Sequence, residues 1–198
     1  MKTLYKWSVE DYHQIIESGI LEGKSVELLE GEIIVRWSAP TASLANPQSG
    51  LSPEKPIHSS RIDTVADYLR SLLKEKAKVR EAHPITLDNS EPEPDIAIVR
   101  FNDNNYANHH PYPQDIYWLV EISNSTLVKD IEQKSVTYAR NGITEYWVID
   151  LPHNKLWVFT LPKQKGYAAK REVIAGNIQP VAFSDVNIEV DKLLSPNR

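Results

Sequence analysis

The chain has 198 residues, 25% of them charged and 41% hydrophobic, and a formal net charge of −5, a profile that suits one soluble globular domain over residues 1–198. It contains no cysteine, which excludes disulfides, thiol catalysis and cysteine-ligated zinc and is compatible with a cytoplasmic setting. The acidic balance excludes indiscriminate adhesion to nucleic acid, and neither a signal-peptide core nor a bilayer-length apolar run is present, so no membrane association is expected.

In chain order, Ser8 followed by Val9-Glu10-Asp11 reads as a helix cap, with Tyr12, Ile15 and Ile16 on one face up to Gly19. Two β-compatible runs, Val26 to Leu29 and Glu32 to Val35, flank Glu30-Gly31 and predict a hairpin. Ser38 to Pro56 is rich in Pro, Ser, Asn and Gly and reads as a long loop. Ile62, Val65, Ala66, Leu69, Leu72 and Leu73 recur at helical spacing, predicting a helix from about His58 to Lys76. Val79 to Leu87 and Asp95 to Val99 read as strands, and Phe101 to Gln114 as a polar loop.

Ile116 to Ile122 is almost continuously apolar, as expected of a central strand covered on both faces. Thr126 to Asn141 predicts a helix ended by Gly142, and Glu145 to Ile149 the next buried strand. Trp157-Val158-Phe159 and Tyr167 to Val173 read as an edge hairpin followed by a short closing segment. The fold class is therefore α/β (α+β): a central mixed β-sheet flanked by helices, preceded by an N-terminal helix and β-hairpin.

Two acidic stations and a lysine carry the chemistry. Glu93-Pro94-Asp95 runs straight into Ile96-Ala97-Ile98-Val99; Glu121 ends the run Ile116 to Val120; Lys134 lies within the helix that follows. Carboxylates at strand ends beside apolar runs are costly to bury unless a cation or hydrogen bonds offset them. Asp95 and Glu121 could hold Mg²⁺, with Mn²⁺ as a substitute, because this hard cation takes oxygen ligands and keeps several waters. Lys134 would then orient water or stabilise charge on a phosphoryl group. The purely structural account has Asp95 capping a turn after Pro94 and Glu121 pairing with a surface base.

Pro94-Asp95 and then Glu121-Ile122-Ser123 resemble the PD-(D/E)xK nuclease superfamily, except that Ser123 stands where its lysine is expected. In some branches that lysine has moved to the following helix, where Lys134 lies. The string Trp118 to Thr126, then Asp130, Lys134, Tyr138-Ala139, Gly142 and Glu145-Tyr146-Trp147, resembles one branch closely: the Uma-type family, described as restriction endonucleases and long carried as a domain of unknown function. Glu27 to Glu32 and His58 extend the likeness over most of the chain. The resemblance implies a restriction-endonuclease-like core and metal-dependent hydrolysis of DNA phosphodiesters. It also implies Asp95 and Glu121 as metal ligands, Lys134 as the catalytic lysine and Glu27 as a further member of the acidic cluster. DNA is the implied partner, and a homodimer is compatible with cutting two strands.

Other residues admit two readings each. Glu27 also fits a solvated strand position opposite Leu28. Asp130 lies four residues before Lys134, so the two share a helix face, either as an exposed ion pair worth about 0.3–0.5 kcal/mol or with Asp130 orienting Lys134. His58 starts a helix, where it could bond a phosphate or a water, or serve only as a helix-start residue. His109 and His110 read as loop surface. Lys74, Lys76, Lys78 and Arg80 form the only basic cluster, diluted by Glu75 and Glu81. The rival functions are a nuclease fold kept as a catalytically weak nucleic-acid- or protein-binding module, favoured by the acidic charge, and hydrolysis of some other phosphoester at the same site.

Overall fold

The computed structural model describes residues 4–35 and 56–195. Most of the loop expected over Ser38 to Pro56 therefore lies outside the described residues. Helix α1, Val9–Glu17, begins with a reciprocal cap: the Ser8 hydroxyl accepts from the Asp11 amide, and the Asp11 carboxylate accepts from the Ser8 amide. Strands β1 (Val26–Leu29) and β2 (Glu32–Val35) pair antiparallel with Leu29 opposite Glu32. The two-residue turn has positive φ at both Glu30 (50°) and Gly31 (74°), the mirror-image geometry whose twist matches a hairpin. Gly31 is pinned at both ends, its amide donating to Asn89 O and its carbonyl accepting from the Trp7 amide.

Helix α2, Pro56–Leu73, buries Ile62, Val65, Ala66, Leu69 and Leu73, the stripe that the 3.6-residue period predicts. A six-stranded sheet follows: β3 (Lys78–Glu81), β4 (Ile96–Val99), β5 (Ile116–Ser123), β6 (Glu145–Asp150), β7 (Lys155–Lys163) and β8 (Gly166–Val173). These strands lie side by side in sequence order. β5 and β6 are parallel and every other neighbouring pair is antiparallel, so the only crossover in the sheet lies between β5 and β6. That crossover is a π-helical turn, Lys129–Lys134, continuing into helix α3, Ser135–Arg140.

The sheet is covered on both faces. Trp118, Val120, Ile122, Trp147 and Ile149 point toward α2 and the closing segment, in which a short pair β9 (Asn177–Ile178) and β10 (Ile188–Glu189) precedes helix α4, Val190–Leu194. Leu119, Tyr146, Val148 and Phe159 point toward Tyr138 of α3. The near-continuous apolar reading of β5 and β6 is thus explained by burial on both sides.

One strand is shorter than its pattern suggests. Residues 79–87 alternate well enough to predict a single strand, but β3 stops at Glu81 because Ala82 takes a left-handed backbone (φ 44°). The apolar residues beyond it, Ile85 and Leu87, belong to the core under α3. Their amides bond Pro92 O and Ser90 O, within a folded-back segment that returns the chain to Asp95. Glu91 of this segment also bridges to Leu28, which ties the β1–β2 hairpin to the entrance of β4.

Candidate active site

The residues singled out from the sequence converge at the end of β5, beneath the start of the α3 segment. Asp95 enters β4 directly after Pro94 and is buried (7% exposed), as are Glu121 (3%), Asp130 (3%), Lys134 (6%) and Glu27 (1%). Lys134 Nζ donates to Glu121 Oε1 at 2.7 Å and lies 4.0 Å from Asp130 Oδ1. The same Glu121 oxygen accepts the Tyr138 hydroxyl at 2.9 Å. Across the strand ends, Asp95 Oδ2 accepts the Ile122 amide at 2.6 Å, and His58 Nε2 lies 3.4 Å from that oxygen.

Glu27 joins from the hairpin, its Oε1 accepting from Lys129 Nζ at 3.0 Å. Asp130 is held from its other side by the Thr126 hydroxyl, at 2.6 Å from Oδ2. The hairpin is clamped to α3 by a second set of contacts: Glu30 accepts from Thr137 at 2.8 Å and from Arg140 at 2.7 Å.

Burial overturns three of the purely structural accounts. Asp130 and Lys134 are not an exposed ornament, Glu27 is not a solvated strand residue, and Glu121 pairs with a buried lysine rather than a surface base. The segment linking Asp130 to Lys134 is also π-helical rather than α-helical, a local widening often found at functional sites. Tyr138 received no role from the sequence, although it falls in the string that resembles the family. Its signal was position alone, one helical turn beyond Lys134 and so on the same face.

The electrostatics follow from crowding charge in a dry place. Burial pushes the Glu121 carboxyl up to about 8, with the negative charges of Asp95 and Asp130 adding to the shift and Lys134 opposing it. Burial also raises Asp130, again against Lys134 and the Thr126 hydrogen bond. Asp95 ends below the usual carboxylate range: burial would raise it, but His58, Lys134 and the Ile122 amide together outweigh burial. For Lys134, burial disfavours the ammonium, and the carboxylates of Glu121, Asp130, Glu27 and Asp95 more than reverse this, so the lysine stays charged. Tyr138 is raised well above its ordinary value by burial and by Glu121, so it remains a hydrogen-bond donor.

Each of the two central carboxylates keeps one oxygen out of these contacts. Among the described residues, hydrogen bonds go to Asp95 Oδ2 and Glu121 Oε1, leaving Asp95 Oδ1 and Glu121 Oε2 as the oxygens on offer. Among the described residues, no group of three or more His, Asp or Glu side chains is gathered so as to hold a metal ion. A cation here would therefore draw on two carboxylates, with water and backbone oxygen completing its shell. That donor set suits Mg²⁺, which favours oxygen and retains water, and does not suit zinc. An excess of buried carboxylate over buried cation, expressed in the raised Glu121, fits a divalent ion on the same grounds.

A solved structure described as a putative nuclease belonging to DUF820, from Anabaena variabilis ATCC 29413, superposes with a TM-score of 0.62 at 18% identity, covering 86% of this chain and 89% of that one. At that identity the likeness concerns the fold. The family model Uma2, described as "Putative restriction endonuclease", matches residues 9–189. The chain belongs to the Uma2 family. No curated protein matches it.

Proposed function

We propose that the protein is a metal-dependent endonuclease that hydrolyses DNA phosphodiester bonds, with Asp95, Glu121, Lys134 and Glu27 as its working residues. The observation that carries this reading is the pair Glu121–Lys134: a lysine kept charged in a buried site, 2.7 Å from a carboxylate that burial drives toward neutrality. Such an arrangement is expensive to maintain for stability alone, and perturbed groups of this kind concentrate where chemistry is done.

Asp95 Oδ1 and Glu121 Oε2 would hold the divalent cation. When bound, it would polarise the phosphodiester and lower the pKa of nearby water. Lys134 then faces the reacting phosphate with a fixed positive charge, placed to hold the attacking water or the oxygens that gain charge as phosphorus becomes five-coordinate. Water attacks phosphorus and gives up a proton to solvent, the bond to the 3′ oxygen breaks, and the departing oxygen takes up a proton from solvent, so one water is consumed for each bond cut. Asp130 and Glu121 position Lys134, Tyr138 fixes which Glu121 oxygen faces outward, and His58 steadies Asp95. Glu27 sets Lys129 at the rim, where that half-exposed ammonium can meet the substrate.

The test is plasmid cutting by purified protein in Mg²⁺ or Mn²⁺, beside Asp95→Ala and Lys134→Ala. Wild-type cutting that both substitutions abolish is expected. Equal cutting by all three would refute the assignment, and so would calorimetry showing no Mn²⁺ uptake by the wild type.

A further inference from the structure

Three of the four cations of the basic cluster expected at residues 74–80 are engaged within the fold. Lys76 pairs with Asp185, Lys78 bonds Asn105, and Arg80 is buried against the Tyr106 ring. A different stretch holds the cations that are left over. Residues 151–171 contain Lys155, Lys163, Lys165, Lys170 and Arg171 and not one Asp or Glu, although the chain has 27 of these acids. This stretch forms most of the β7–β8 ribbon. Lys163, Lys165, Lys170 and Arg171 are exposed. Among the described residues, Lys155 alone of the ribbon's five cations makes a carboxylate ion pair, with Glu172 at 3.0 Å.

Sheet register places the ribbon relative to the candidate site. Glu121 lies opposite Val148, Val148 opposite Trp157, and Trp157 opposite Glu172. Trp157 therefore occupies the same cross-strand row as Glu121, two strand spacings or about 10 Å away, and packs against the core on the face that carries Tyr138. Lys170 and Lys155 lie over its ring, at 4.2 and 5.9 Å from the centroid. β8 is a third spacing out, about 14 Å from β5.

Lysines do guard sheet edges against unwanted pairing. Edge protection accounts for Lys170 and Arg171, but not for Lys163 and Lys165 at the hairpin tip or Lys155 on an interior strand. The edge strand carries one acid, Glu172, and it is matched by Lys155 across the ribbon.

We propose that the β7–β8 ribbon is the surface on which the protein docks the phosphate backbone of duplex DNA, flanking the bond held at Asp95 and Glu121. The proposal rests on the nuclease reading above and adds to it where the duplex lies. Lys170 lies two residues along the ribbon from the Glu121 row and Lys163 six, so their backbones are about 16 and 22 Å from Glu121, and at 3.4 Å of axis per base pair the ribbon's phosphates fall about five to seven base pairs from the scissile one. A polyanion is the partner that a ribbon with five cations and a single acid, Glu172, selects on an otherwise acidic molecule. Phosphates contacted in this way fix register without reading sequence.

The experiment measures binding of a fluorescent 20-base-pair duplex by anisotropy, without divalent metal, from 50 to 200 mM salt. Wild type is compared with Lys163→Ala/Lys165→Ala/Lys170→Ala and with a control, Lys24→Ala/Lys74→Ala, that removes charge elsewhere. Each lost phosphate contact lowers the slope of log K against log salt by about 0.9, so the triple variant should lose roughly two to three units of slope. It should also bind at least tenfold more weakly at 100 mM salt, while the control stays at the wild-type slope. Thermal melts of all three proteins verify folding. A triple variant with the wild-type slope overturns the ribbon, as does a control that loses as much as the triple variant, or a wild type that binds no duplex. The nuclease reading is judged separately, by plasmid cutting in Mg²⁺ that Asp95→Ala abolishes. It stands if cutting persists while the slopes are equal.

Discussion

Replacing Lys134 by methionine isolates the energetic core of the site. Methionine keeps the length and apolar stem of lysine, so packing changes little and the loss is electrostatic. The substitution removes the 2.7 Å bond to Glu121 and the cation nearest Asp130, leaving both carboxylates buried without their common partner. Removing one member of a buried pair costs about 3–5 kcal/mol. For a chain of this size that corresponds to a fall in melting temperature of roughly 6–20 °C. The cost should depend on pH. Glu121 in the folded protein is pushed up to about 8 from an ordinary 4.5, so between those values the folded state holds a proton that the unfolded chain releases. Its contribution to stability is therefore complete below about pH 4.5 and is lost as pH rises through about 8. Without Lys134 the carboxyl is raised further, so the variant should be penalised most near pH 8 and least near pH 5. Urea melts of wild type, Lys134→Met and Lys134→Met/Glu121→Gln at pH 5 and pH 8 make the measurement, the double variant recovering at least half of the loss. A cost below about 1 kcal/mol at pH 8, or one that is the same at pH 5, would refute the buried-pair reasoning.

Three further outcomes are expected. Mg²⁺ or Mn²⁺ at a hundredfold excess over its dissociation constant should stabilise the wild type by about 2.7 kcal/mol, read as a rise in melting temperature that Asp95→Asn loses. Tyr138→Phe deletes a buried hydrogen bond to Glu121 and should cost about 0.5–1.5 kcal/mol where that carboxyl is protonated and about 1.5–3 kcal/mol once it is ionised above about pH 8; a urea midpoint unchanged from wild type in both protonation states would show that the hydroxyl holds nothing. Gly31→Ala forces a side chain into φ 74° and sets its Cβ 3.0 Å from Lys6 Cβ and 3.1 Å from Trp7 O, so a loss of more than about 1 kcal/mol is expected in a thermal melt.

Much of the fold was legible because its signals are local. The Ser8 cap, the Glu30-Gly31 turn, the α2 stripe and the doubly covered β5 and β6 each depend on neighbours within a few residues, and each lies where its pattern placed it. The failure at 79–87 has the same logic inverted. Alternation of apolar residues registers burial, and Ile85 and Leu87 are buried, but in a folded-back segment whose amides bond outside the ladder. The hairpin at Trp157 and Tyr167 was legible too; that β7 is an interior strand and only β8 an edge depended on pairing with β6.

The site divides along the same line. Sequence alone determined which groups are present: carboxylates entering β4 and ending β5, a lysine thirteen residues after Glu121, and a hairpin glutamate, Glu27. Tertiary structure decided what those groups are. Burial, and with it the raised Glu121 and the charged Lys134, comes from packing the hairpin, α2 and the α3 segment over one end of the sheet, and no window along the chain contains all three. It also brought Tyr138 onto the Glu121 oxygen shared with Lys134. The same distinction holds for the cations: residues 74–80 read as the only basic cluster, but in the folded chain Lys76 pairs with Asp185, Lys78 bonds Asn105 and Arg80 is buried against Tyr106, while Lys163, Lys165, Lys170 and Arg171 face solvent. Charge in a sequence is a composition, whereas its free energy depends on the distance to other charges and to water, and those distances are set only when the chain folds.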